Sequence, residues 1–258
     1  MNSLQRVIRV GRLAQVNHEP IGTLFRRLVP PAHALLNLLI RRDWGPAGTL
    51  PLEGPVIICP NHISNLDPLV VGEYLLYNGR WPHYLAKSEM FGWPLLGPLL
   101  PKLGQIPVAR ASSSARDSLA MAQRAIEQGQ LVVIYPEGTI THDPDEWPMA
   151  PHTGAARLAL RTGVPVIPLG QWGANMTLPP RGIRPARPFP RKLMTVRLGG
   201  PVDLSSYSHD DPISVRAAAV AIMDAITEQV ELCRGEESPT ERWLQREQMR
   251  VPRGNAAA

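Results

Sequence analysis

Proline limits what this chain can fold into more than any other residue type. Its 258 residues include 28 prolines, near double the usual ~5%, and each one fixes φ and removes a backbone donor. The longest proline-free stretches are 108–135 and 213–238, which excludes a bundle of long uninterrupted helices. The prolines instead punctuate short apolar runs, the pattern of a loop-rich α/β domain. The length suits one large domain, or one domain with a small attached element. A hydrophobic share of 44% supplies a packed core and excludes disorder of the whole chain.

The apolar run Val56–Cys59 ends at Pro60, and after Asn61–Asp67 comes Pro68–Tyr77 with apolar Leu69, Val70, Leu75 and Leu76. This order spells strand, turn, helix. Asp67 before Pro68 reads as an acidic N-cap followed by proline at the first helical position. Short strands are expected at His83–Lys87 and Gln105–Ala109. Ser114 opens a helix with Ala115, Leu119, Ala122 and Ile126 on one face, closed by Gly129. Leu131–Tyr135 reads as a buried strand, His152–Thr162 as a helix capped by Gly163, and Val164–Leu169 and Leu193–Leu198 as further strands. In the last helix Val215, Ala219, Ile222, Ile226, Val230 and Cys233 recur three or four residues apart, which explains Cys233 as packing. The alternation predicts an α/β fold, with a mostly parallel or mixed sheet of about five to seven strands covered by helices.

The N-terminal region and the charge point to a membrane surface. The formal net charge is +5, and only three of the 27 cationic side chains are lysine (Lys87, Lys102, Lys192); the planar guanidinium fork favours phosphate partners. Ile21, Leu24, Phe25, Leu28 and Val29 share a helical face, and Leu35, Leu36, Leu38, Leu39 and Ile40 continue beyond Pro30–Pro31. An N-terminal amphipathic helical pair, joined at the two prolines, is predicted. Arg26, Arg27 and the prolines are incompatible with a spanning helix of ~20 apolar residues. Arginine-edged faces suit helices lying in the membrane interface, and would equally pack on the domain core. The start MNSLQRVIRVGRLAQ lacks the apolar core of a signal peptide, so the expected location is the cytoplasmic face of a membrane, peripheral or monotopic. Arg181, Arg184, Arg187, Arg191 and Lys192 form a second basic cluster, on a lipid-facing or solvated loop. Two cysteines, Cys59 and Cys233, make neither a disulfide framework nor a zinc motif.

The segment Asn61-His62-Ile63-Ser64-Asn65-Leu66-Asp67-Pro68 carries most of the chemistry. A buried strand delivers His62 into a turn that ends at a helix N-terminus. The five-residue step lets the chain fold back, so that the Asp67 carboxylate can accept from one imidazole nitrogen. The other nitrogen then stays available as a base for a hydroxyl or a water. The same spacing also arises where Asp67 merely caps the helix and His62 is a solvated loop residue. A metal site built from His62, Asp67 and His83, His142 or His152 lacks any paired-histidine spacing, and no metal is expected. Cys59 reads as core rather than nucleophile.

Three further segments follow in order. Gly104-Gln105-Ile106-Pro107-Val108-Ala109-Arg110 is an apolar strand ending in arginine, and after it come Tyr135-Pro136-Glu137-Gly138-Thr139 and Val164-Pro165-Val166-Ile167-Pro168. With the NHxxxxD pattern at Asn61–Asp67, these resemble the four sequence blocks of the lysophosphatidic acid acyltransferases, a family of glycerolipid acyltransferases. The resemblance covers about residues 50–200. It implies transfer of a fatty acyl group from acyl-CoA or acyl carrier protein to the free hydroxyl of a lysophospholipid, without fixing the acceptor. The leading expectation is the sn-2 hydroxyl of 1-acylglycerol-3-phosphate, giving phosphatidate. No cofactor beyond that co-substrate is implied. His62 would be the general base and Asp67 its orienting partner, without an acyl-enzyme. Phosphate recognition would fall to Lys87, Arg110 and the Glu137-Gly138-Thr139 turn. Two positions depart from the family pattern. Ile140 stands where many members have arginine, and His152 stands two residues before Gly154 where many carry lysine.

On this basis the chain divides into an amphipathic membrane-associating segment 1–48, an acyltransferase domain 49–235 and a polar tail 236–258 with at most one short helix around Trp243. The expected partners are a lysophospholipid acceptor, acyl-CoA or acyl carrier protein and an anionic membrane surface, and not nucleic acid. Three other readings compete: acylation of another lysophospholipid or glycolipid hydroxyl, a thioesterase in which the dyad activates water, and a catalytically inactive lipid-binding protein.

Overall fold

A computed structural model describes residues 23–46, 50–108, 114–179, 187 and 189–253. Helix α1 (Thr23–Leu39) runs directly into strand β1 (Ile40–Trp44). The expected helical pair is thus one continuous helix with Pro30 and Pro31 inside it. Prolines there strip the carbonyls four residues back of their partners, and Arg26, Arg27 and both prolines are exposed, so water serves those carbonyls. Ile40 ends the helix as the first residue of a strand rather than its last apolar position. Segment 1–48 therefore contributes an edge strand to the sheet as well as a helix.

Strands β2 (Val56–Pro60), β3 (Pro82–Lys87), β4 (Ile106–Val108), β5 (Leu131–Val133), β6 (Val166–Trp172) and β7 (Lys192–Leu198) complete a seven-stranded sheet in the order β1-β7-β6-β2-β5-β3-β4. β2 pairs parallel with β5 and β6, β5 with β3, and β3 with β4. β7 meets β6 antiparallel, and β1 joins β7 in parallel. The sheet is therefore mixed, with five co-directional strands and a reversed pair at one edge. Ala109 and Arg110, at the end of the second sequence block, lie outside the described residues.

Helices cover both faces. α2 (Asp67–Tyr77) packs with α1 on Val56, Ile58, Val133 and Ile167, while Ile57, Cys59, Val132 and Val166 face α3 (Ser114–Glu127), α4 (Gly154–Thr162) and α6 (Pro212–Arg234). Alternate residues of β2 thus enter two separate cores. Between β6 and α6 the fit is close: a Cβ on Gly170 would lie 2.3 Å from the backbone carbon of Gln229. A single turn, α5 (Ala174–Thr177), follows β6. No helix among the described residues is long and apolar enough to cross a membrane.

The tail departs from expectation. In place of a short helix around Trp243 it forms an antiparallel hairpin, β8 (Glu241–Leu244) with β9 (Met249–Pro252). Its stability comes from contacts with the body: Arg242, 2% exposed, donates Nη2 to Asp224 at 2.9 Å, and Arg250 donates to Asp143 and Asp145.

Candidate active site

In an open α/β sheet, ligand sites gather at the carboxyl ends of parallel strands. Here three neighbours, β6, β2 and β5, deliver Gln171, Asn61–His62 and Tyr135–Glu137 to that edge. Asn61 and Gln171 lock two of them by exchanging bonds. Gln171 N–H donates to Asn61 Oδ1 at 2.8 Å, Asn61 Nδ2 donates to the Gln171 carbonyl at 3.1 Å, and Gln171 Nε2 donates to the Asn61 carbonyl at 3.0 Å. The residue before His62 is thereby fixed from both its side chain and its backbone.

His62 Nδ1 lies 2.8 Å from Asp67 Oδ2. The same oxygen accepts from the N–H groups of Ile63 at 2.6 Å and Ser64 at 2.8 Å. Asp67 is therefore not the N-cap. It is the first residue of α2, Leu66 occupies the cap position, and the carboxylate turns back into its own loop. Burial raises the Asp67 carboxyl above its ordinary value, and the His62 bond and the two N–H groups oppose this. With Asp67 accepting at Nδ1, the Nε2 lone pair of His62 points away from the dyad, and the ring is 17% exposed.

Glu137 is fully buried. Its Oε1 accepts from the His62 N–H at 2.9 Å and its Oε2 from the Met149 N–H at 3.1 Å, so the side chain positions the His62 backbone rather than reaching outward to a phosphate. Burial pushes its carboxyl up to about 8 against these two bonds. The Tyr135 ring stacks on the imidazole at 4.3 Å between centroids, and Tyr84 stacks behind it. Burial holds both phenols well above the usual tyrosine range.

The structure thus brings His62, Asp67 and Glu137 into one unit. Gly138 forms the turn beside it at φ 67°, where a Cβ would come within 2.8 Å of the His152 ring, and Thr139 is half-buried next to it. Lys87 is exposed at the carboxyl end of β3, on the same sheet edge. Arg110 lies outside the described residues, as do Arg181 and Arg184 of the basic cluster. Cys59 is wholly enclosed and burial drives its thiol far up, which removes it as a nucleophile. Among the described residues no three His, Cys, Asp or Glu side chains are placed to hold a metal ion. Sequence reasoning missed Gln171 and the Tyr135 stack. Gln171 stands 110 positions from its partner, without a local signal, whereas Tyr135 opened a segment already singled out and only its stacking on His62 went unread.

A mixed α/β sheet with a histidine–carboxylate dyad at its carboxyl edge has the geometry that can activate a hydroxyl or a water. Residues 46–172 match the model of the Acyltransferase family. A chloroplastic 1-acyl-sn-glycerol-3-phosphate acyltransferase from Brassica napus is 29% identical over 128 residues, covering 49% of this chain and 36% of that protein. A lyso-ornithine lipid O-acyltransferase from Pseudomonas aeruginosa is 33% identical over 118 residues, covering 45% and 42%. The chain spans less than half the length of both relatives. The crystal structure of a 1-acyl-sn-glycerophosphate acyltransferase from Thermotoga maritima shares the fold, with a TM-score of 0.64 at 20% identity over 84% of this chain and 82% of that one. Residues 46–172 of the chain are thus similar to the acyltransferase family.

Proposed function

We propose that this chain transfers a fatty acyl group from acyl-CoA or acyl carrier protein to the sn-2 hydroxyl of 1-acylglycerol-3-phosphate, giving phosphatidate. The observation that carries the reading is the His62 ring, tied at Nδ1 to Asp67 with Nε2 left for an acceptor hydroxyl. The hydroxyl proton moves to Nε2 as its oxygen bonds to the thioester carbonyl carbon. The tetrahedral intermediate collapses, the C–S bond breaks, and the leaving thiolate takes the proton back from Nε2. Asp67 holds the tautomer and stabilises the transient imidazolium. No acyl-enzyme is needed, in keeping with the buried Cys59. Lys87, Arg110 and the Gly138–Thr139 turn are the proposed contacts for the acceptor phosphate, with Glu137 shaping that turn from behind.

The acceptor lipid would arrive from an anionic membrane surface at the cytoplasmic face. On α1, Leu35 and Leu38 are 51% and 57% exposed, and exposed Arg26, Arg27, Arg41 and Arg191 stand on or beside that helix. This is the composition of a helix lying in the interface. A second acceptor, another lysolipid hydroxyl, is favoured by the similarity to the lyso-ornithine lipid enzyme and by Ile140 after Thr139. The test is coenzyme A release from palmitoyl-CoA with lysophosphatidate, with lyso-ornithine lipid and with no acceptor, in wild type and His62→Ala. Release that needs both lysophosphatidate and His62 is the expected result. Release without any acceptor would mean a thioesterase, and release only with lyso-ornithine lipid would move the assignment to that acceptor.

A further inference from the structure

The C-terminal hairpin lies outside the family-matched region, yet it holds the loop that holds His62. Residues 139–150 lead from the Glu137 turn towards α4. Within them, Thr141 N–H donates to the His62 carbonyl at 2.7 Å. His62 N–H donates to Glu137, whose other oxygen accepts from Met149 N–H. Both backbone groups of the histidine thus take their position from this loop or its leading turn.

The far side of the loop is clasped by β8–β9. Arg250 donates Nε to Asp143 Oδ2 at 3.0 Å and Nη2 to Asp143 Oδ1 at 2.7 Å, and Nη2 also reaches Asp145 Oδ2 at 2.7 Å. Asp143 is only 4% exposed. Next to Met149, the Ala150 N–H donates to the Trp243 carbonyl at 2.9 Å. The hairpin is itself anchored, because buried Arg242 donates to Asp224 at 2.9 Å and to Thr227 at 3.1 Å on α6.

We propose that the hairpin is a positioning element for the proposed acyl transfer, with Arg250 as the residue that sets where His62 points. This rests on the reading of His62 as the base. A bidentate arginine–carboxylate pair fixes the loop in direction as well as distance. Removing Arg250 leaves the enclosed Asp143 charge without its partner. The loop relieves that by carrying Asp143 towards water, and Thr141, two residues away, moves with it. A displacement of about 1 Å at a catalytic group is worth on the order of a hundredfold in rate.

The experiment uses the full chain as wild type, Arg250→Ala and Arg250→Lys, at a temperature well below melting. Coenzyme A release from palmitoyl-CoA with lysophosphatidate is measured beside amide hydrogen exchange at His62 and Thr141. Arg250→Ala is expected to lower kcat by about tenfold or more, with KM for both substrates within about twofold, and to speed exchange at both amides. Arg250→Lys keeps the charge without the fork and recovers part of kcat, a pattern that a merely structural role would not give. A kcat within about twofold of wild type for Arg250→Ala, a loss confined to KM, or unchanged exchange at both amides would overturn the proposal. Should Arg250→Ala not fold, Arg250→Lys decides: reduced kcat at an unchanged melting temperature supports the clamp, and wild-type kcat overturns it. If the wild type itself shows no acceptor-dependent release, the acyl-transfer reading fails separately, and the exchange data still decide whether the hairpin positions His62.

Discussion

Replacing Glu137 by glutamine probes the enclosed acid behind His62. Burial moves that carboxyl from an ordinary 4.5 to about 8, so across this window the folded chain keeps a proton that the unfolded chain has released. Stability therefore falls as pH rises through the window, by about 1.4 kcal/mol per pH unit and roughly 4–5 kcal/mol in all. Glutamine does not titrate. Its amide can accept only one of the two N–H bonds from His62 and Met149, and it turns an NH2 group towards the other donor. Glu137→Gln should thus be about 1–3 kcal/mol less stable than wild type at pH 5. The deficit shrinks as pH rises and disappears or reverses by pH 8. Asp67, also raised by burial, is present in both proteins, and its charge is one of the influences that raise Glu137. Urea unfolding followed by circular dichroism at pH 5, 6.5 and 8 gives both curves. Stabilities that run parallel across the three pH values would refute the buried-acid argument.

Other perturbations act on separate parts of the molecule. Asp67→Asn sets an NH2 group among the donors at Ile63, Ser64 and His62 and favours the wrong tautomer. Acceptor-dependent coenzyme A release should fall by about 10³–10⁴-fold, and a loss under about tenfold would remove Asp67 from its orienting role. Gly170→Ala drives a methyl group to 2.3 Å from the Gln229 backbone; an overpacking cost of about 1–3 kcal/mol or more is expected, and an unchanged thermal midpoint would contradict the close seating of α6 on β6. Leu35→Asp with Leu38→Asp should weaken co-sedimentation with anionic vesicles several-fold, and undiminished sedimentation would place the membrane contact elsewhere.

What the sequence disclosed was what lies close along it. His62 and Asp67 meet because five residues suffice for one turn, and the alternating strands and helices announce the sheet through their own apolar runs. The dyad's electrostatics were harder to see, since the N-cap rule assigns Asp67 to its helix while two nearer N–H groups claim it. Pro30–Pro31 suggested a break by a local rule, but exposure lets water take over the stripped carbonyls. β1, reading Ile-Arg-Arg-Asp-Trp, has too few apolar residues to signal a strand, and its place comes from pairing with β7, about 150 residues later. The hairpin β8–β9 is held by ion pairs to Asp143, Asp145 and Asp224, none of which leaves a mark near residue 245. Glu137 was singled out as part of its turn, but its bonds to the His62 and Met149 N–H groups were not legible, because sequence does not show which way a side chain turns.

Cys59 lies on β2, wholly enclosed, three residues before His62, with β5 and β6 hydrogen-bonded on either side. A thiol reagent reaches it only when the middle of the sheet comes apart, so its modification rate counts how often the strand leading to the base leaves the fold. Cys233, on α6, is only part-covered and reacts through smaller openings. The two thiols make the chain its own stopwatch, one hand timing loosening at the helix and the other timing the loss of the whole centre.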